Sequence, residues 1–253
     1  VIPSPALVAR LRAAGCVFAE EEAGLLLAAA GPGELAALVD RRVAGEPLEQ
    51  VLGWASFCGL RIALEPGVFV PRRRTEFLAR EAIARTRSGA VVLDLCCGSG
   101  ALAASIAAAV PEIELHAADV EPAAVRCARG NLPGASVHEG DLFAALPPGL
   151  RGRIDVLVAN VPYVPAGEVA LMPPEARDHE PRRALDGGAD GLDVLRRVAA
   201  AAPEWLAPGG WLLSEVSERQ APVAVAVLAH AGLEASTAED DELGATVVVG
   251  VLG

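Results

Sequence analysis

The stretch Ala90-Val91-Val92-Leu93-Asp94-Leu95-Cys96-Cys97-Gly98-Ser99-Gly100 decides the fold of this chain. Residues 90–95 form a run of strand length that is apolar but for Asp94, and residues 101–110 have the composition of a helix. A strand that is apolar throughout is buried on both faces, which is the habit of a parallel strand covered by helices. The small residues between strand and helix let the backbone turn and pass close to a ligand. In an open parallel sheet, ligands sit beyond the carboxyl ends of the strands.

Outward from this unit the alternation continues. Strands are expected at 113–118, 136–138, 154–159, 211–214 and 246–251, with helices at 122–131, 192–202 and 222–230. The front of the chain differs. Residues 5–44 are rich in Ala and Leu, with Leu7, Leu11 and Ala14 on one helical face. Gly31-Pro32-Gly33 breaks this region before Leu35, Leu38 and Val39 resume helical spacing. A hairpin is expected over 57–70, turning at Glu65-Pro66-Gly67. The chain therefore divides into a helical front (1–56), a hairpin connector (57–75) and an α/β body (76–253).

Composition excludes several classes. The 53% hydrophobic and 21% charged residues make a globular chain, and all 21 basic residues are arginine. With no lysine, Schiff-base and P-loop lysine chemistry are ruled out. A net charge of −12 argues against tracking a nucleic-acid backbone. No apolar run reaches the ~18 residues of a membrane span, and residues 1–5 do not resemble a secretory leader. Cysteines at 16, 58, 96, 97 and 127 form no Cys-x-x-Cys pair, which suggests a reduced, cytoplasmic setting. The histidines at 116, 138, 179 and 230 show no metal-ligand spacing, so no metal is expected.

The strand ends carry the chemistry. Asp94, Cys96, Cys97, Gly98, Ser99 and Gly100 form a loop with fewer glycines than the Gly-x-Gly-x-x-Gly dinucleotide fingerprint. A carboxylate before the loop repels pyrophosphate but can hold a cationic amino acid. S-adenosylmethionine (SAM) carries an ammonium and a sulfonium and no phosphate, so it suits the loop better than NAD. The next strand ends at Asp119-Val120, where Asp119 can accept ribose hydroxyls or instead cap a helix. After the third strand, Asp141 can accept an adenine amino group and Leu142 can pack on the ring.

After the fourth strand comes Asn160-Val161-Pro162-Tyr163. An amide nitrogen is a poor nucleophile because its lone pair is delocalised. A site that methylates it should hold the NH2 with two acceptors. The Asn160 side-chain oxygen and the Val161 carbonyl can supply them. Pro162 keeps Val161 extended, and Tyr163 offers a flat surface to a planar group.

The chain resembles the HemK/PrmC-type protein-(glutamine-N5) methyltransferases. The resemblance is carried by Glu46–Gly53 with Phe57 and Gly59, by Phe69-Val70-Pro71-Arg72 with Thr75-Glu76, by Asn160–Tyr163, and by Glu180–Leu192. It implies a class I SAM-dependent methyltransferase fold, Rossmann-like with a mostly parallel seven-stranded sheet, and a small helical domain in front. It also implies that residues 96–100, Asp119, Leu142 and Asn160 bind SAM, leaving S-adenosylhomocysteine as product. Residues 160–163 would hold the Gly-Gly-Gln glutamine of a peptide-chain release factor. Cys96-Cys97 stand where the family has Gly-Thr, and Val161 where it has proline. Two rival readings are an adenine-N6 nucleic-acid methyltransferase, which shares a similar Asn-Pro-Pro-Tyr element, and a SAM-binding relative without catalysis.

Overall fold

The computed structural model describes residues 2–253; Val1, the first residue of the expected helical front, lies outside the described residues. Helices α1 (Pro5–Ala13), α2 (Ala19–Ala29) and α3 (Leu35–Val43) pack around Leu11, Ala23, Leu26 and Val39. Ser4 caps α1, its hydroxyl accepting from the Leu7 N–H at 3.3 Å. A short α4 (Leu48–Leu52) ends on Gly53 at φ +76°, a left-handed cap that glycine adopts without a Cβ penalty. Arg42 of α3 is buried and pairs with Glu22 of α2 at 2.6 Å. It also pairs with Glu175, far along the chain, at 2.6 Å. Gln50 donates to the Val68 carbonyl at 3.1 Å.

The hairpin is built from β1 (Trp54–Phe57) and β2 (Leu60–Ala63), paired antiparallel across Cys58-Gly59. This corrects the expected hairpin over 57–70: Glu65-Pro66-Gly67 does turn, the Val68 N–H donating to the Glu65 carbonyl at 3.2 Å, but the strands pair across Cys58-Gly59 instead. Cys58 and Gly59 have φ of +48° and +75°. Two successive positive φ values give a two-residue turn whose twist matches that of the strands. A cysteine at the first position hides this turn from composition rules. Residues 64–72 are irregular, and α5 (Glu76–Arg85) follows.

The body alternates β3 (Val91–Leu95), α6 (Ala101–Ala109), β4 (Glu114–Asp119), α7 (Pro122–Asn131), β5 (Ser136–Glu139) and β6 (Ile154–Ala159). After β6 come the short helices α8 (Pro174–His179) and α9 (Arg182–Leu185), then α10 (Asp193–Trp205), β7 (Leu206–Val216), α11 (Ala221–His230), β8 (Leu233–Asp240) and β9 (Ala245–Leu252). The seven strands form one sheet in the order β5-β4-β3-β6-β7-β9-β8. Pairing is parallel from β5 to β7 and antiparallel for β7–β9 and β9–β8. Alternate residues of β3 and β6 serve opposite layers. Leu93 and Leu157 pack with α10 and α11, while Val92 and Val156 pack with α5 and α6.

Two strand expectations need correction. The expected 211–214 strand is the centre of β7, which runs from 206 to 216 and carries an irregularity opposite Ile154 and Val156. β8 went unread because, as an edge strand, it alternates exposed polar with half-buried residues and lacks an apolar run. Glu239 and Asp240 close β8, and Asp241 and Glu242 lie in the exposed turn that leads to β9.

Candidate active site

The carboxyl ends of β3, β4, β5 and β6 border one cavity of about 450 Å³. It lies where β3 has β4 on one side and β6 on the other, the crevice that an open α/β sheet provides. Cys96, Cys97, Gly98 and Ser99 line it after β3, Asp119 and Val120 after β4, Asp141 and Leu142 after β5, and Asn160 to Tyr163 after β6.

Two expected cofactor residues lie outside the lining. Asp94 is fully buried beneath the loop, with Oδ2 accepting from the Ala103 N–H at 3.1 Å. Its Oδ1 has no partner among the described residues. Burial pushes this carboxyl up to about 7; the Ala103 N–H opposes the shift and the charge of Asp119 adds to it. Asp94 therefore lies beneath the loop, held against the start of α6. Gly100 is a packing residue: at φ +79° a Cβ there would lie 2.9 Å from Leu132 Cδ1. Its absence lets α6 start close against α7.

Cys96 adopts φ +60°, the conformation a glycine would hold without strain. Burial raises the thiols of Cys96 and Cys97, and the nearby carboxylates of Asp94 and Asp119 raise them further. A reactive low-pKa thiolate at this helix start is thereby excluded. Asp119 ties the loop to β4: Oδ2 accepts from the Gly98 N–H and Oδ1 from the Glu121 N–H, each at 2.9 Å. Burial raises its carboxyl, and these N–H donors oppose the rise. Each carboxylate oxygen keeps a lone pair for a further donor. Asp141 stands on the exposed rim, paired with Arg197 at 2.6 Å. Leu142, at φ +49°, packs at the edge of the core beside the cavity. Carboxylate acceptors flanked by apolar Val120 and Leu142 fit a ribose and a planar base.

At the other end, Asn160 directs Nδ2 toward Thr75 Oγ1 at 3.5 Å, which leaves Oδ1 for a ligand. Among the described residues no donor reaches the Val161 carbonyl. The Val161 side chain is buried in the core, which restrains the loop where the family has proline. Tyr163 donates its hydroxyl to Glu215 Oε1 at 2.7 Å. Burial raises the Tyr163 hydroxyl strongly and the Glu215 charge adds to this, so it remains a neutral donor.

Comparison with known proteins agrees with this arrangement. The methyltransferase small domain family matches residues 59–172. A release factor glutamine methyltransferase from Geobacter sulfurreducens is 40% identical over 230 residues, covering 88% of this chain and 80% of that protein. The chain belongs to the release factor glutamine methyltransferase family. Its cofactor is S-adenosylmethionine. A 4-amino-L-phenylalanine/4-methylamino-L-phenylalanine methyltransferase from Streptomyces pristinaespiralis is 39% identical, with 81% of this chain and 73% of that protein covered. A methyltransferase structure from Pyrococcus furiosus superposes with a TM-score of 0.59 at 17% identity, covering 77% of this chain and 90% of that one. That likeness concerns the fold.

Family membership gives the Glu180–Leu192 segment a physical role. It backs the Asn160–Tyr163 loop. Val164 donates to the Leu185 carbonyl at 3.1 Å and accepts from the Gly187 N–H at 2.8 Å. Gln220 Nε2 donates to the Tyr163 carbonyl at 2.8 Å. Glu180 is buried, and its carboxylate accepts from the Val70 N–H at 3.1 Å and from Arg72 at 2.5 Å. Sequence reasoning missed the parts played by Thr75, Glu215 and Gln220. Thr75 left a trace as part of the Thr75-Glu76 element of the resemblance, and Glu215 as a lone carboxylate within the apolar run of β7; Gln220 left none. Within the run Arg72-Arg73-Arg74, Arg72 pairs with Glu180 and Arg74 with Glu215 at 3.1 Å, while Arg73 is exposed.

Proposed function

We propose that this chain transfers a methyl group to the side-chain amide nitrogen of a glutamine in a protein substrate, the Gly-Gly-Gln glutamine of a peptide-chain release factor. The observation that carries this reading is that Asn160 and Val161 border the same cavity as the loop after β3 and Asp119. Asp119, Asp141, Leu142 and residues 96–99 would hold the cofactor. When bound, SAM supplies an electrophilic methyl on a sulfonium.

The chain's own residues do the rest. Asn160 Oδ1 and the Val161 carbonyl accept the two N–H groups of the substrate amide and orient its nitrogen. Tyr163, fixed by Glu215, offers its ring to the amide plane. Positioning of this kind can lower a barrier by up to roughly 7–11 kcal/mol in ideal cases. The helical front (1–56) is tied to the body through Arg42 and Gln50, and its last residues, 54–56, belong to β1. The five free cysteines fit a reducing, cytoplasmic setting.

Labelled SAM offered with a bacterial release factor carrying Gly-Gly-Gln should label the protein. The same factor with Gly-Gly-Ala should stay unlabelled, and Asn160→Ala should lose at least about a hundredfold in kcat. Label on 4-aminophenylalanine and not on the release factor would replace this reading with that of a small-molecule amine methyltransferase.

A further inference from the structure

A second cavity, of about 390 Å³, lies on the far side of Tyr163 and Arg74, two residues that border both cavities. Its wall carries Glu215, Glu218, Glu239, Asp240 and Asp241. Arg74 is its one cationic lining residue, and Arg74 is already paired with Glu215. Asp240 is paired with Arg80. Glu218, Glu239 and Asp241 are exposed and have no ion pair among the described residues.

A buried group completes the picture. The Glu215 side chain is 3% exposed. Its Oε1 accepts from Tyr163 and faces Arg74, while Oε2 has no hydrogen-bond partner among the described residues. A buried carboxylate oxygen without a donor is costly. Glu215 lines the cavity, so a cation entering it meets the field of this buried carboxylate as well as that of the exposed ones.

We infer that this acidic cavity receives a cationic side chain, arginine or lysine, of the protein substrate while the amide is held at Asn160. The inference rests on the reading given under Proposed function. A metal ion is the poorer occupant, because no group of three or more His, Cys, Asp or Glu among the described residues is arranged to hold one. The cofactor is accounted for by the strand ends on the other side of Tyr163. What remains is a basic group carried by the molecule whose amide reaches Asn160. The shared wall of Tyr163 and Arg74 places that group a short distance along the substrate chain from the target.

The test uses the full chain with Glu218→Gln, Glu239→Gln and Asp241→Asn combined, all surface positions. For an intact release factor, KM should rise roughly tenfold while kcat and SAM affinity stay within about twofold, as for the loss of three exposed ion pairs. Replacing in turn each Arg and Lys near the target glutamine should reveal one whose loss raises KM alike in the parent enzyme and not further in the triple variant. An unchanged KM in the triple variant, or losses that simply add, would overturn the inference.

If the unmodified enzyme labels no release factor, the amide reading has failed, and the cavity is tested at equilibrium. N-acetyl-arginine amide should shift the Gly244 and Thr246 amide resonances, whereas the neutral N-acetyl-citrulline amide should not. The triple variant should respond to neither. No response specific to arginine would dispose of the site.

Discussion

Gly191 rests so close to Tyr163 that a Cβ at position 191 would lie 2.2 Å from the Tyr163 carbonyl oxygen. The same carbonyl accepts from Gln220, whose Nε2 would be 2.4 Å from that Cβ. Gly187 stands in the same relation to Pro162, at 2.5 Å from its carbonyl oxygen. The back of the amide-holding loop is therefore lined by glycine because backbone fills the space a side chain would need.

Gly191→Ala should displace this loop. Backbone collision adds to the strain at φ +80°, so the loss of stability should exceed about 2 kcal/mol, with methyl transfer lost alongside. Gly209→Ala is the control: its φ is +74°, but nothing lies within 4 Å of the added Cβ. It should lose only about 1–2 kcal/mol from the backbone term. Thermal unfolding of the two variants, together with kcat, separates collision from strain.

Cys96 holds φ +60° in the cofactor loop. Cys96→Val should destabilise by at least about 1–2 kcal/mol, since a β-branched residue is poorly accommodated there. Cys96→Gly should be close to neutral, because relief of the backbone offsets glycine's chain entropy. With both loop thiols raised by burial, iodoacetamide at pH 8 should leave Cys96 and Cys97 unmodified in the native protein.

Thr75 reaches Asn160 from outside the loop, at 3.5 Å. Thr75→Val should lower kcat roughly three- to tenfold, the worth of one modest hydrogen bond, and Thr75→Ser should restore it. SAM affinity should move in neither variant. A merely structural Thr75 would instead change melting temperature without this split.

Asp94 gives a signed pH dependence. Its carboxyl is raised from 3.8 to about 7 in the folded chain. Between those values the folded state keeps a proton that the unfolded state has released, so this residue's contribution to stability falls as pH rises. Above pH 7 the loss is complete. Asp94→Asn should therefore be more stable than the parent near pH 8, by on the order of a few kcal/mol, and should lose the advantage near pH 4. Urea unfolding of both proteins at the two pH values checks the sign.

Arg42 joins α2, α3 and Glu175. Arg42→Ala leaves Glu22, only 10% exposed, without its partner, and should cost about 3–5 kcal/mol. Glu175→Ala removes a half-exposed partner and should cost at most about 1 kcal/mol. Denaturant midpoints of the two variants distinguish the buried pair from the exposed one.

What the sequence determined by itself is the α/β body and the set of loops at its strand ends. Burial on both faces forces an almost wholly apolar run in β3 and β6, interrupted only by Asp94 and Asp155, and a run of that kind is visible in one dimension. The cofactor loop and Asn160–Tyr163 could be read for the same reason: each directly follows such a strand. The tertiary structure decided everything that depends on a residue's neighbours across the fold. β8 is half solvated and carries no run. The hairpin turns at Cys58-Gly59 because the backbone there is left-handed. Asp94 and Gly100 sit in the loop by sequence but beneath or behind it in space. Thr75, Glu215 and Gln220 reach the loop from α5's approach, β7 and the start of α11. Hydrogen bonds between residues tens of positions apart leave no periodicity in a sequence, so the support of the site becomes legible only once the chain is folded.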